Sequence, residues 1–109
     1  VESILFPFDE GFPQYRLAKE QMTNACGLFT FSLKTNKRED IVKFCESLQH
    51  IMMAVSWGGH ESLVIPKCAG IGAGEFDSAN KEHRYIRMYA GLEEAGYLVG
   101  DLEQALTKI

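Results

Sequence analysis

Between Gly27 and Lys34 the chain alternates with a period of two. Phe29, Phe31 and Leu33 fall to one side and Leu28, Thr30, Ser32 and Lys34 to the other, the pattern of a half-buried strand. The same period returns over Tyr85–Ala90, where Ile86 and Met88 share one face and Tyr85, Arg87 and Tyr89 the other. Two further stretches are apolar without alternation. Ile51-Met52-Met53-Ala54-Val55 predicts a buried strand, and Ser62 to Ile65 predicts a short one stopped by Pro66. Ile4-Leu5-Phe6 suits an extended segment between Val1 and Pro7, after which Pro7, Gly11 and Pro13 punctuate a loop.

Helical spacing accounts for three other segments. Tyr15, Leu17, Ala18 and Met22 give Gln14–Met22 a modest apolar face, with Lys19 and Glu20 turned to solvent. Asn36 and Glu39 stand at the spacing of a capping box, so a helix is predicted to begin there and to bury Ile41, Val42, Phe44, Cys45 and Leu48 before ending near Gln49 and His50. Leu98, Val99, Leu102, Ala105, Leu106 and Ile109 mark a terminal amphipathic helix, slightly weakened by Gly96 and Gly100. The sum is an α+β domain with an antiparallel or mixed sheet covered on one side by helices.

Composition narrows the class. A chain of 109 residues with 46% hydrophobic content forms one domain with a real core. No apolar run approaches the roughly 18 residues of a membrane span, and no charged-then-apolar leader opens the chain. Net charge is −4 and the eleven basic residues are scattered, which argues against a nucleic-acid partner. Cys26, Cys45 and Cys68 are odd in number and lack a C-x-x-C pair, so neither a disulfide framework nor a metal site is expected, and a reducing cytoplasm fits. The chain opens at Val1 inside an apolar segment, and the expectation is a piece of something longer.

Two polar stretches carry candidate chemistry. In Ser56-Trp57-Gly58-Gly59-His60-Glu61-Ser62 the adjacent glycines permit positive dihedrals and a close approach by backbone or ligand, or simply an ordinary tight turn. Arg87 between two tyrosines is either a surface charge stacked on rings or a preorganised fork for a carboxylate. Gly70-Ile71-Gly72-Ala73-Gly74 is not a phosphate-binding loop, because no Lys-Ser/Thr follows and the spacing matches neither nucleotide motif; Gly70–Asn80 reads as a flexible surface loop. Cys45 lies on an apolar stripe and reads as core.

Ser56-Trp57-Gly58-Gly59-His60-Glu61-Ser62-Leu63, followed by Ile86-Arg87-Met88-Tyr89-Ala90-Gly91-Leu92-Glu93, resembles the C-terminal part of the pyridoxal-phosphate (PLP) enzymes of cysteine and methionine metabolism, the trans-sulfuration group. The resemblance extends through Asp101–Leu106 and back to Cys26–Phe31, nearly the whole chain. It implies the small C-terminal domain of the aspartate-aminotransferase (fold type I) architecture, packed on an upstream PLP-binding domain. It also implies that Arg87 grips the substrate α-carboxylate, with Ser56 beside it and the Gly58-Gly59 turn in close approach. A carboxylate fixed in this way orients the Cα–H bond for chemistry on the cofactor.

Many members carry leucine where Trp57 stands; tryptophan there is most similar to the cystathionine β-lyase subgroup. The Pro66–His83 region departs from the family's commoner pattern. The Schiff-base lysine and the phosphate loop of the family lie upstream, and none of the seven lysines here matches that motif. The resemblance therefore implies a substrate-binding lobe without catalytic residues of its own. Its parent would use PLP on a sulfur amino acid by β- or γ-elimination or replacement and assemble as a homo-oligomer, a tetramer in the family. Two other readings stand beside it: a stand-alone amino-acid-binding regulatory module, and a structural dimerisation domain favoured by an Arg87 locked in an internal ion pair.

Overall fold

The computed structural model describes residues 1–109. The chain forms, in order, β1 (Ser3–Leu5), α1 (Tyr15–Gln21), β2 (Leu28–Ser32), α2 (Arg38–Glu46), β3 (Met52–Met53), β4 (Leu63–Pro66), β5 (Tyr85–Tyr89) and α3 (Ala95–Leu106). The five strands make one sheet in the order β1-β2-β5-β4-β3. Every pairing is antiparallel except that of β3 with β4, so the sheet is mixed and the domain is α+β. The cleanly alternating strand β5 is central. Its Ile86 and Met88 join Phe31, Val64, Ile41 and Phe44 in a core closed by Leu98 and Ala105, which puts α2 and α3 on one face of the sheet. No helix is long and apolar enough to cross a membrane.

Register decides what stands on the other face. Thr30 of β2 and Ile65 of β4 both pair with Arg87 of β5, so these three side chains form a row across the centre of the sheet, opposite the core. Arg87 is thus carried on the most constrained strand of the molecule.

Three sequence expectations are corrected. The run Ile51–Val55 is not a buried strand: only Met52 and Met53 pair, both are exposed, and Val55 is 74% exposed. β3 is the edge of the sheet with a partner on one side only, and of the five residues just Ile51 is buried. The Asn36/Glu39 capping box does not form. Instead Thr35 Oγ1 accepts from the Lys37 N–H at 3.1 Å and donates to Asp40 at 2.6 Å, a local turn that starts α2 at Arg38. The terminal helix α3 stops at Leu106, short of Ile109; Val99 and Ile109 are exposed, and the buried stripe is Leu98, Asp101 and Ala105.

Asp101 explains how the edge strand is seated. Its carboxylate, buried within α3, accepts the N–H groups of Gln49 at 2.8 Å and of His50 and Ile51 at 2.9 Å, while Gln104 donates to it at 3.0 Å. Burial pushes this carboxyl up, but the hydrogen bonds from Gln49, Ile51, His50 and Gln104 outweigh it and leave the pKa below the ordinary value. The entry to β3 is therefore fastened to a helix some fifty residues away.

Candidate functional site

On the face opposite α2 and α3, Arg87 donates from its guanidinium to the backbone carbonyl of Val55, the residue that precedes Ser56. One end of the fork is thereby tied to the loop leaving β3. Both ion pairs of the molecule lie elsewhere, His60 with Glu61 and Arg84 with Glu2, so Arg87 is not locked in an internal ion pair. It lines an open cleft of about 530 Å³, with Thr30, Ile65, Tyr85, Val55 and Lys67 in the wall and no acidic residue among them. A planar guanidinium facing an acid-free cleft is suited to a carboxylate.

The turn beside it is held from two directions. Gly58 has φ of +90°, a conformation that the missing side chain permits. The Tyr89 hydroxyl donates to the Gly59 carbonyl at 3.0 Å, tying the turn to Arg87's own strand. Below it, Leu92 N–H donates to the His60 carbonyl at 2.8 Å. Glu93 accepts the Ser62 N–H at 2.8 Å and the Ser62 hydroxyl at 2.7 Å, while the same hydroxyl accepts the Gly91 N–H at 2.8 Å. The bonds from Ser62 hold the Glu93 carboxyl below the usual glutamate range. The Val55–Ser62 segment is therefore pinned to the middle and C-terminal end of β5 and to the residues that follow it.

Of the residues singled out from sequence, the structure brings Arg87 to the cleft and sets Gly58 and Gly59 in the turn alongside. Ser56 follows the carbonyl that Arg87 holds but stands exposed, and Trp57 is 56% exposed, outside both the core and the cleft wall. Sequence reasoning missed the Val55 carbonyl, the Ser62–Glu93 pair and Lys67. A backbone acceptor leaves no mark on sequence, whereas the serine and the glutamate both lie inside the motif segments.

A Schiff-base lysine is activated by desolvation or by a cationic neighbour, and a cofactor phosphate needs a cradle of N–H groups. All seven lysines of this chain are exposed, and Gly70–Asn80 is spent on short 3₁₀ turns and on local backbone N–H groups accepted by the Asp77 and Asn80 side chains. The residues present do not fit the ring and phosphate of PLP; what they fit is a carboxylate.

Residues 1–107 match the family model for Cys/Met metabolism PLP-dependent enzymes. The chain is 34% identical to cystathionine gamma-lyase of Macaca fascicularis over 110 residues, covering 97% of this chain and 27% of that protein. It is 30% identical to cystathionine beta-lyase MetC of Escherichia coli, covering 100% of this chain and 28% of that one. In structure it superposes on cystathionine gamma-lyase from Lactobacillus plantarum, solved with L-serine, with a TM-score of 0.82 at 28% identity, covering 100% of this chain and 29% of the other. It also superposes on metB from Corynebacterium glutamicum, with a TM-score of 0.79 at 28% identity, covering 98% and 28%. The chain thus spans little more than a quarter of the length of these relatives.

Proposed function

The chain belongs to the Cys/Met metabolism PLP-dependent enzyme family, with the α+β fold its fold type I relatives carry over this region, and from that premise we propose that it is their substrate-orienting lobe. In this reading Arg87 binds the α-carboxylate of a sulfur amino acid, and the Ser56–Gly59 turn closes one side of the bound group. The observation that carries the reading is the Arg87 fork, anchored on Val55 and open to an acid-free cleft. A planar guanidinium that offers two parallel N–H groups fixes a carboxylate in direction as well as position, which in turn fixes the substituents on its α-carbon. The reaction of the whole enzyme is elimination or replacement at sulfur, as the names of the relatives suggest.

The cofactor belongs to an upstream domain of a longer cytoplasmic, oligomeric polypeptide, and this lobe alone has no activity. Supporting this are the chain's share of its relatives' length and the exposure of every lysine. In the full-length enzyme, Arg87→Ala is expected to raise KM by a factor corresponding to roughly 2 to 5 kcal/mol, the cost of stranding a charged partner. Unchanged kinetics would sink the assignment. For the 109-residue chain, titration with PLP followed by borohydride reduction should give no stoichiometric adduct at a single lysine; such an adduct would mean that the chain carries a cofactor site of its own.

A further inference from the structure

The tip of the turn beside Arg87 hangs on one bond. Of the four residues Ser56–Gly59, the Gly59 carbonyl alone takes part in a hydrogen bond, and its donor is the Tyr89 hydroxyl at 3.0 Å. All four residues are exposed and none belongs to a helix or strand. The chain is fastened before them, where Arg87 holds the Val55 carbonyl, and after them, where Leu92 N–H donates to His60 and Glu93 accepts from Ser62. Two adjacent glycines between these fixed ends give the backbone little stiffness of its own. A Cβ built on Gly58 would meet nothing within 4 Å, so no packing at that point replaces the hydrogen bond.

Tyr89 is placed to supply that hold. It is half-buried on β5, paired with Leu28 on one side and Leu63 on the other, and it is not part of the cleft wall. Arg87 and Tyr89 stand two residues apart on one face of the strand and hold carbonyls four residues apart, so the segment between arches off the sheet. Resting on the reading that Arg87 binds the α-carboxylate, we infer that Tyr89 is a positioning residue for that site: its hydroxyl keeps the Ser56–Gly59 turn arched beside Arg87, and without it the turn opens and the ligand leaves faster. A single neutral hydrogen bond biases closed over open by about two- to tenfold. Ligand affinity falls with the fraction of molecules left closed, so this factor is the ceiling on the effect.

The test is Tyr89→Phe in the ¹⁵N-labelled 109-residue chain, a change that deletes one oxygen and leaves the ring in place. L-methionine is the probe and Arg87→Met the reference. In Tyr89→Phe the amide order parameters of Trp57–Gly59 should drop to those of a mobile loop, below about 0.6, while those of β4 and β5 stay at the level of rigid backbone. L-methionine should bind about two- to tenfold more weakly, through faster dissociation, and Arg87→Met should abolish binding. A merely structural role for the hydroxyl would lower the urea midpoint and leave both the turn's order parameters and the affinity unchanged; that result overturns the proposal. A looser turn with unchanged affinity also overturns it, while Arg87-dependent binding keeps the carboxylate reading intact. If the native chain binds L-methionine in no Arg87-dependent way, that reading falls and the role of Tyr89 with it. Spectra superposable away from the turn verify that each variant keeps the fold.

Discussion

Ser62 and Glu93 are joined twice, through the serine N–H at 2.8 Å and its hydroxyl at 2.7 Å, across thirty-one residues of chain. The hydroxyl also accepts the Gly91 N–H, so one buried atom links the end of the candidate turn to the exit of the central strand. Ser62→Ala removes the hydroxyl and strands both partners. It should lower unfolding free energy by about 1 to 3 kcal/mol with an unchanged urea m-value. A loss below a few tenths of a kcal/mol would show that solvent replaces the hydroxyl without cost.

The same pair has a pH signature. Glu93 and Asp101 both have folded-state pKa values below their ordinary ones, so in acid the unfolded chain binds more protons than the folded one. Stability is full above the ordinary carboxylate range and falls as pH drops below about 4. Glu93→Gln should flatten this slope in an acid titration of thermal midpoints. An unchanged slope would remove Glu93 from the linkage.

Asp101 offers a sharper test because its partners are backbone groups. Asp101→Ala leaves the N–H groups of Gln49, His50 and Ile51 without their acceptor. The expected cost is about 2 kcal/mol or more. Hydrogen exchange at these three amides should accelerate ahead of the core strands, and the loop leaving β3 should loosen at the Val55 carbonyl that Arg87 uses. Uniform acceleration over the whole domain would instead mean that Asp101 acts only on global stability.

The contrast between Arg87 and β3 explains how far sequence carries. A period-two strand states its own facing, so Arg87 opposite Ile86 and Met88 was legible from a few residues. An unbroken apolar run states only that it is apolar; whether anything covers it depends on strand order, and Met52 and Met53 fall on an edge. The start of α2 was legible to within a turn, but no side chain caps it; Thr35 holds the approach instead, accepting from the Lys37 N–H and donating to Asp40. The Asp101 clamp was invisible because it joins segments 50 residues apart, while Ser62 and Glu93 stood in the two motif segments with nothing in the sequence to pair them. The two glycine-containing motifs marked where the site lies; the carbonyl that aims Arg87 belongs to the backbone and could not be marked.

Thiol reactivity should follow burial. Cys26 is exposed, while Cys45 and Cys68 lie in the core. Burial, with Cys68 and Glu46 nearby, pushes the Cys45 thiol up to about 12, and burial also raises Cys68. At pH 8 a disulfide reagent should therefore titrate one thiol rapidly in the native chain and the other two only on addition of denaturant. Three fast thiols would contradict the packing of α2 against the sheet.

The glycines of the two motifs should behave differently, because they are required for different reasons. A Cβ on Gly91 would collide with the His60 carbonyl oxygen and stand 2.7 Å from the Glu61 carbonyl carbon, both backbone atoms that cannot rotate away. A Cβ on Gly58 meets nothing within 4 Å, and only its φ of +90° is unfavourable. Gly91→Ala must therefore push the turn off β5, breaking the Leu92–His60 and Ser62–Gly91 bonds together, whereas Gly58→Ala costs only the left-handed backbone penalty of about 1 to 2 kcal/mol. The expected order in urea unfolding is wild type, then Gly58→Ala, then Gly91→Ala with a loss above about 3 kcal/mol, the sum of the overlap and the stranded bonds. Gly58→Asn should recover part of the Gly58→Ala loss, since asparagine tolerates positive φ, and asparagine at position 91 should recover nothing. The reverse order would mean that the close approach of the turn to the central strand does not hold it in place.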